Sequence, residues 1–129
     1  MQHASLTAFL SGMLAPEAFM HEISSEVAEF YADLRATKRG FIKISDGPFF
    51  VVTRSAARRL LTAVGAQQVS PNAAVYVADC LLASDDITFA DDTVRDAVSF
   101  LEDDSNRFIE GRDALWTPED IANVIASLD

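Results

Sequence analysis

Between Pro16 and Thr37 the apolar residues Phe19, Ile23, Val27, Phe30 and Leu34 step by 4, 4, 3 and 4. That spacing lays one apolar stripe along a helix, and the rest of the chain has to cover it. Pro16 suits the first helical position, and Glu17 is favourable beside the positive end. Gly40 stands just beyond the expected end near Thr37. The same helix carries a second file, Glu22, Glu26, Glu29 and Asp33, stepping by 4, 3 and 4. None of these four acids has a Lys or Arg four residues further on. The file therefore repels itself by about a few tenths of a kcal/mol per neighbouring pair.

Further start and stop signals mark the other helices. Ser5 is suited to cap a short helix bearing Leu6, Phe9 and Leu10, which Gly12 would end. Thr53 caps a helix over about residues 54–64, with Leu60, Leu61 and Val64 inward, Arg54, Arg58 and Arg59 outward, and Gly65 closing it. Ser70-Pro71 opens a helix whose apolar residues Val75, Val77, Cys80, Leu81 and Leu82 go nearly all the way round, which marks the central one. Asp85-Asp86 ends it, and Ile87-Thr88-Phe89 is a short extended piece. Asp91 or Asp92 caps the next helix, with Val94, Ala97, Val98 and Leu101 on one face. A loop is expected from Ser105 to Trp116, holding Phe108 and Ile109. Thr117-Pro118-Glu119-Asp120 starts a last helix with a stripe of Ile121, Val124, Ile125 and Leu128, and Trp116 is placed as a hydrophobic staple.

Phe41-Ile42-Lys43-Ile44-Ser45 and Phe49-Phe50-Val51-Val52-Thr53 are strand-like, and Asp46-Gly47 between them is a hairpin signal. Pro48 makes that loop irregular, since it donates no ladder bond. The expectation is five or six helices with one small β-hairpin near residues 41–53, mainly helical and formally α+β. At 129 residues this is one domain, residues 1–129.

Composition narrows the function. Half the residues are hydrophobic, which argues against a disordered chain. The net charge of −10 argues against a general nucleic-acid binder, which needs a basic face to release counterions. The charge is uneven. Residues 65–129 carry almost all of the excess acid, whereas Arg35, Lys38, Arg39, Lys43, Arg54, Arg58 and Arg59 crowd into residues 35–59. The single cysteine, Cys80, excludes an internal disulfide. No apolar run reaches the roughly 18 residues of a membrane span. Met1-Gln2-His3-Ala4-Ser5 has no basic cluster before an apolar run, so no secretory signal is expected, and a cytoplasmic location follows as an expectation.

Catalytic constellations are mostly missing. The histidines are His3, expected in a frayed terminus, and His21, early in the long helix. A Cys80–His21 nucleophilic pair is conceivable in space, but a cysteine in the most apolar helix behaves as a small hydrophobe. There is no Gly-rich phosphate loop and no paired-cysteine zinc pattern. No catalytic residue, cofactor or metal is therefore assigned. Asp85, Asp86, Asp91 and Asp92 have two readings. They can offer oxygens to Ca²⁺ or Mg²⁺ without forming an EF-hand loop, or they can make turns and caps, the favoured reading. Left exposed, they can also face a basic partner. Arg54, Arg58 and Arg59 can contact an anion or pair with the chain's own acids.

Phe9-Leu10-Ser11-Gly12-Met13-Leu14-Ala15-Pro16-Glu17-Ala18-Phe19 resembles the opening of some small acidic bacterial toxin-immunity proteins, in which a helix ending in Ser-Gly is followed by a helix with an early aromatic. Cys80-Leu81-Leu82-Ala83-Ser84-Asp85-Asp86-Ile87-Thr88-Phe89 is similar to segments of the same group. The resemblance implies a cytoplasmic protein that binds a basic toxin domain, often a nuclease, and blocks its active site. Together with the unpaired acids, it makes either Glu22, Glu26, Glu29 and Asp33 or Asp85, Asp86, Asp91 and Asp92 the expected contacts to a basic protein partner, with the choice between the two clusters open. A small-ligand or metal-binding regulatory domain, or a structural subunit, is the alternative.

Overall fold

In a computed structural model the described residues are 1–102 and 116–129, and they form six helices and two short strands. In chain order these are α1 (His3–Leu10), α2 (Pro16–Thr37), β1 (Phe50–Val52), α3 (Arg54–Gly65), α4 (Pro71–Ala83), β2 (Ile87–Phe89), α5 (Asp92–Ser99) and α6 (Pro118–Ser127). The expected loop holding Phe108 and Ile109 falls on residues outside that range, except for Trp116.

The helix signals resolve as local hydrogen bonds. The side chains of Thr53, Ser70, Asp91 and Thr117 accept the backbone N–H of Ala56, Ala73, Val94 and Asp120. Thr117 and Asp120 form a reciprocal capping box. Pro16, Pro71 and Pro118 each occupy the first helical turn. Gly12 ends α1 at φ +81, a left-handed conformation that suits glycine. At the end of α2 the left-handed residue is Lys38 rather than a glycine. At the start of α1, Gln2 is the cap residue and Ser5 lies inside the helix.

Helix α4 is the central element, with Ala73, Ala74, Val75, Tyr76, Val77, Ala78, Cys80 and Leu81 all buried. The apolar stripe of α2 lies against α4, and Phe30 meets Tyr76 edge-on at 5.2 Å between ring centroids. Phe9 of α1 stacks on Phe19 of α2 at 4.5 Å. Helix α3 packs on α6, where Ile121 and Leu128 are buried and Val124 and Ile125 half-buried. Trp116 flanks Phe100 at 6.1 Å and lines the same small cavity as Ile121, consistent with a staple.

The expected hairpin does not form. Strand β1 instead pairs in parallel with β2, Phe50 opposite Ile87 and Val52 opposite Phe89. Residues 41–45 find other partners. The Lys43 carbonyl accepts from the Met1 amino group at 2.7 Å, and the Ser45 N–H donates to the Met1 carbonyl at 3.0 Å. The two bonds straddle Ile44 as one rung of a parallel ladder does. The alternation of the segment survives without a hairpin, since Phe41, Lys43 and Ser45 are exposed while Ile42 and Ile44 pack on the core. Residues 40–49 thus form a strap across the start of α1.

Gly47 shows why the turn signal misled. It takes no positive φ. Its N–H donates to the Asp86 carboxylate at 3.2 Å, and its missing side chain admits the His3 ring. His3 is consequently buried rather than frayed, and its backbone N–H donates to Ser45 Oγ at 2.9 Å.

Candidate functional site

The acidic file of α2 divides in two. Glu22 and Glu29 are exposed, whereas Glu26 and Asp33 are half-buried. Glu26 Oε2 accepts from the Met1 amino group at 2.5 Å and from the Tyr76 hydroxyl at 2.6 Å. Glu26 is thus a structural anchor between the first residue and the central helix. Burial, then this hydrogen bond to Glu26, pushes the Tyr76 hydroxyl well above the usual phenol range. Glu22, Glu29 and Asp33 form no ion pair among the described residues.

Glu26, Glu29 and Asp33 line one wall of a groove of about 340 Å³. Phe30, Tyr76 and the strap residues Phe41 and Lys43 complete it. Phe41 is 64% exposed there. Two carboxylates beside an uncovered aromatic ring suit a guanidinium or ammonium group, through charge-assisted hydrogen bonds and attraction to the ring face.

The second acidic set does not converge. Asp86 is half-buried and occupied: it accepts from Gly47, its N–H donates to Ser84 Oγ at 3.2 Å, and its carbonyl accepts from Phe50 at 2.9 Å. Asp91 accepts from Val94 at 2.9 Å as the α5 cap and pairs with Arg54 at 3.0 Å. The Val94 N–H first, and Arg54 after it, hold the Asp91 carboxyl below the usual range. Asp85 and Asp92 are exposed. No three His, Cys, Asp or Glu side chains among the described residues are arranged to hold a metal ion.

The arginines of α3 fasten the fold. Arg54 donates to the Leu128 carbonyl at 3.0 Å as well as to Asp91, and Arg58 pairs with the Asp129 carboxylate. Arg59 donates to the Leu10 carbonyl at 2.7 Å and lies against Gly12. Arg58 and Arg59 still border a cavity of about 400 Å³ with Thr62 and Gln68. An anion contact there competes with bonds the guanidinium groups already make.

Cys80 is fully buried, and burial pushes its thiol up to about 12. His21 lies exposed on α2, and no hydrogen bond joins the two among the described residues. No helix among the described residues is long and apolar enough to cross a membrane.

Sequence reasoning missed the strap. Its uncovered side chains Phe41 and Phe49 look like hairpin residues until the pairing partners are known. The one sequence sign against the hairpin is Pro48, which follows Asp46-Gly47 and has no N–H to donate across a turn or ladder. No protein-family model, curated protein or solved structure matches the chain.

Proposed function

We propose that this chain is a non-enzymatic binding protein that holds a basic protein, most concretely an immunity-type inhibitor that occludes a toxin domain in the cytoplasm. The observation that carries the reading is the outward face of α2. Glu22, Glu29 and Asp33 stand at fixed helical spacing and pair with no base among the described residues, next to a groove lined by the exposed Phe41. Folding has left Glu29 and Asp33 one turn apart with no base between them, at a cost of roughly a few tenths of a kcal/mol. A cationic partner relieves that repulsion. Complementary charge then speeds encounter and selects the partner, and a few buried contacts supply affinity. The structural employment of Asp86 and Asp91 favours α2 over the Asp85–Asp92 set as the contact face.

The test is a titration against the purified product of the neighbouring gene. The comparison is with a variant carrying Glu22→Lys, Glu29→Lys and Asp33→Lys. The reading expects wild-type binding that weakens with salt and a loss of at least about tenfold in the variant, or about 1.4 kcal/mol. Equal binding by the two proteins, or no basic partner, would overturn it.

A further inference from the structure

A second cavity lies further along the strap. It holds about 590 Å³ and runs between α1, at Gln2, His3, Thr7 and Ser11, and the strap at Ser45–Phe50. Met13 and Phe49 stand at its edge, 84% and 71% exposed. They are two of the four large apolar side chains most open to solvent among the described residues, and Phe41, in the acidic groove, is another. His3 lines the cavity nine-tenths buried, and its Nδ1 has no hydrogen-bond partner. A polar-rimmed hollow flanked by uncovered Met and Phe side chains has the character of an anchor site for a protein side chain. Met in particular adapts its shape to the group it covers.

The two hollows are neighbours along the strap. Lys43 lines the acidic groove and Ser45 lines the second cavity, so about 7 Å of extended chain separates them. The strap that divides them is fixed from beneath by Met1, His3 and Asp86, through the bonds to Lys43, Ser45 and Gly47. A strap pinned at these three points presents both hollows to one partner segment at low ordering cost.

We infer that the strap is the middle of a two-point docking surface for one basic protein segment. A Lys or Arg enters the groove beside Glu29, Asp33 and Phe41, and a neighbouring aromatic or aliphatic side chain enters the cavity between Met13 and Phe49. This rests on the reading of α2 as a face for a basic partner and adds the apolar anchor and its position. Charge complementarity commits the occupant. Of the acids that line the two hollows Glu26 is already paired with the Met1 amino group, which leaves Glu29, Asp33 and Asp46 against Lys43, so an acidic segment is repelled while a basic one is drawn in.

The probe is a display library of random peptides selected on the full chain. The selected peptides are then titrated against wild type, a Met13→Ser/Phe49→Ser variant and a Glu29→Lys/Asp33→Lys variant. The four substituted side chains are exposed or half-buried, and far-ultraviolet circular dichroism checks that each variant is folded. The inference expects peptides that join a basic to an apolar residue, and a loss of about tenfold or more in both variants. Loss in the charge variant alone would overturn the two-point surface and leave the acidic-face reading standing. No enriched peptide, or peptides indifferent to both variants, would overturn both.

Discussion

A Cβ on Gly47 would lie 2.0 Å from Cδ2 of His3, well inside any tolerable contact. The strap and the start of α1 therefore fit only because position 47 has no side chain. Gly47→Ala should destabilise the fold by about 1–3 kcal/mol, as overpacking does. Urea unfolding of Gly47→Ala, His3→Ala and the double variant gives the coupling. With the imidazole removed, the added methyl should cost less than in wild type. Strictly additive losses would contradict the contact.

The Tyr76–Glu26 bond is a hydrogen bond to a charged acceptor in a half-buried place. Tyr76→Phe should cost about 1–2 kcal/mol. A double-mutant cycle with Glu26→Leu should show coupling, because both changes remove the same hydrogen bond between α4 and α2. A loss below about 0.5 kcal/mol in Tyr76→Phe would show that the bond is idle.

Alkaline pH should unfold this protein earlier than its carboxylates alone would suggest. Both the Tyr76 hydroxyl and the Cys80 thiol hold their protons more tightly in the fold, the thiol up to about 12 against an ordinary 9.0. Their contribution is complete below the unfolded values and is lost as pH rises toward the folded ones. Stability should fall by up to about 1.4 kcal/mol per pH unit for each group that ionises only in the unfolded chain. Urea midpoints at about pH 8 and about pH 10.5 check this, with Tyr76→Phe flattening the slope. Stability that stays level across that range would contradict it.

The two capping-region aspartates should behave differently. Asp91→Ala removes both the α5 cap and the Arg54 partner, so it should lower the thermal midpoint. Asp92→Ala, at an exposed first-turn position, should lower it less. The Asp91 carboxyl is held below its usual range, so its contribution is present above ordinary carboxylate values and lost as pH falls through the folded one. The gap between the two variants should therefore close on acidification. Equal midpoints for both variants at neutral pH would contradict the assignment.

Helices were legible because their signals are local. A cap residue, a proline in the first turn and a periodic apolar stripe all act within a few residues, as at Thr53, Ser70-Pro71 and Thr117. The strands were half-legible. Residues 50–52 and 87–89 are extended as read, but their pairing spans 37 positions and depends on how α3 and α4 cross between them. Nothing local in Phe41–Ser45 announces that Met1 will supply its hydrogen-bond partners. The acidic file of α2 could be seen directly, whereas its division into an anchored Glu26 and unpaired neighbours could not. That division is set by Tyr76, which comes 50 residues later. His3 was misjudged for the same reason, because the groups that bury it lie more than forty residues away.

The central claim is that a basic partner covers the outward face of α2 together with the strap. Hydrogen–deuterium exchange of the chain alone and in complex with that partner tests it most directly. New protection should appear across residues 40–50 and along the exposed face of α2 between Glu22 and Asp33, with α6 unchanged. Protection confined to α3 and α6, or to residues 85–92, with the strap exchanging as in the free chain, would contradict the account.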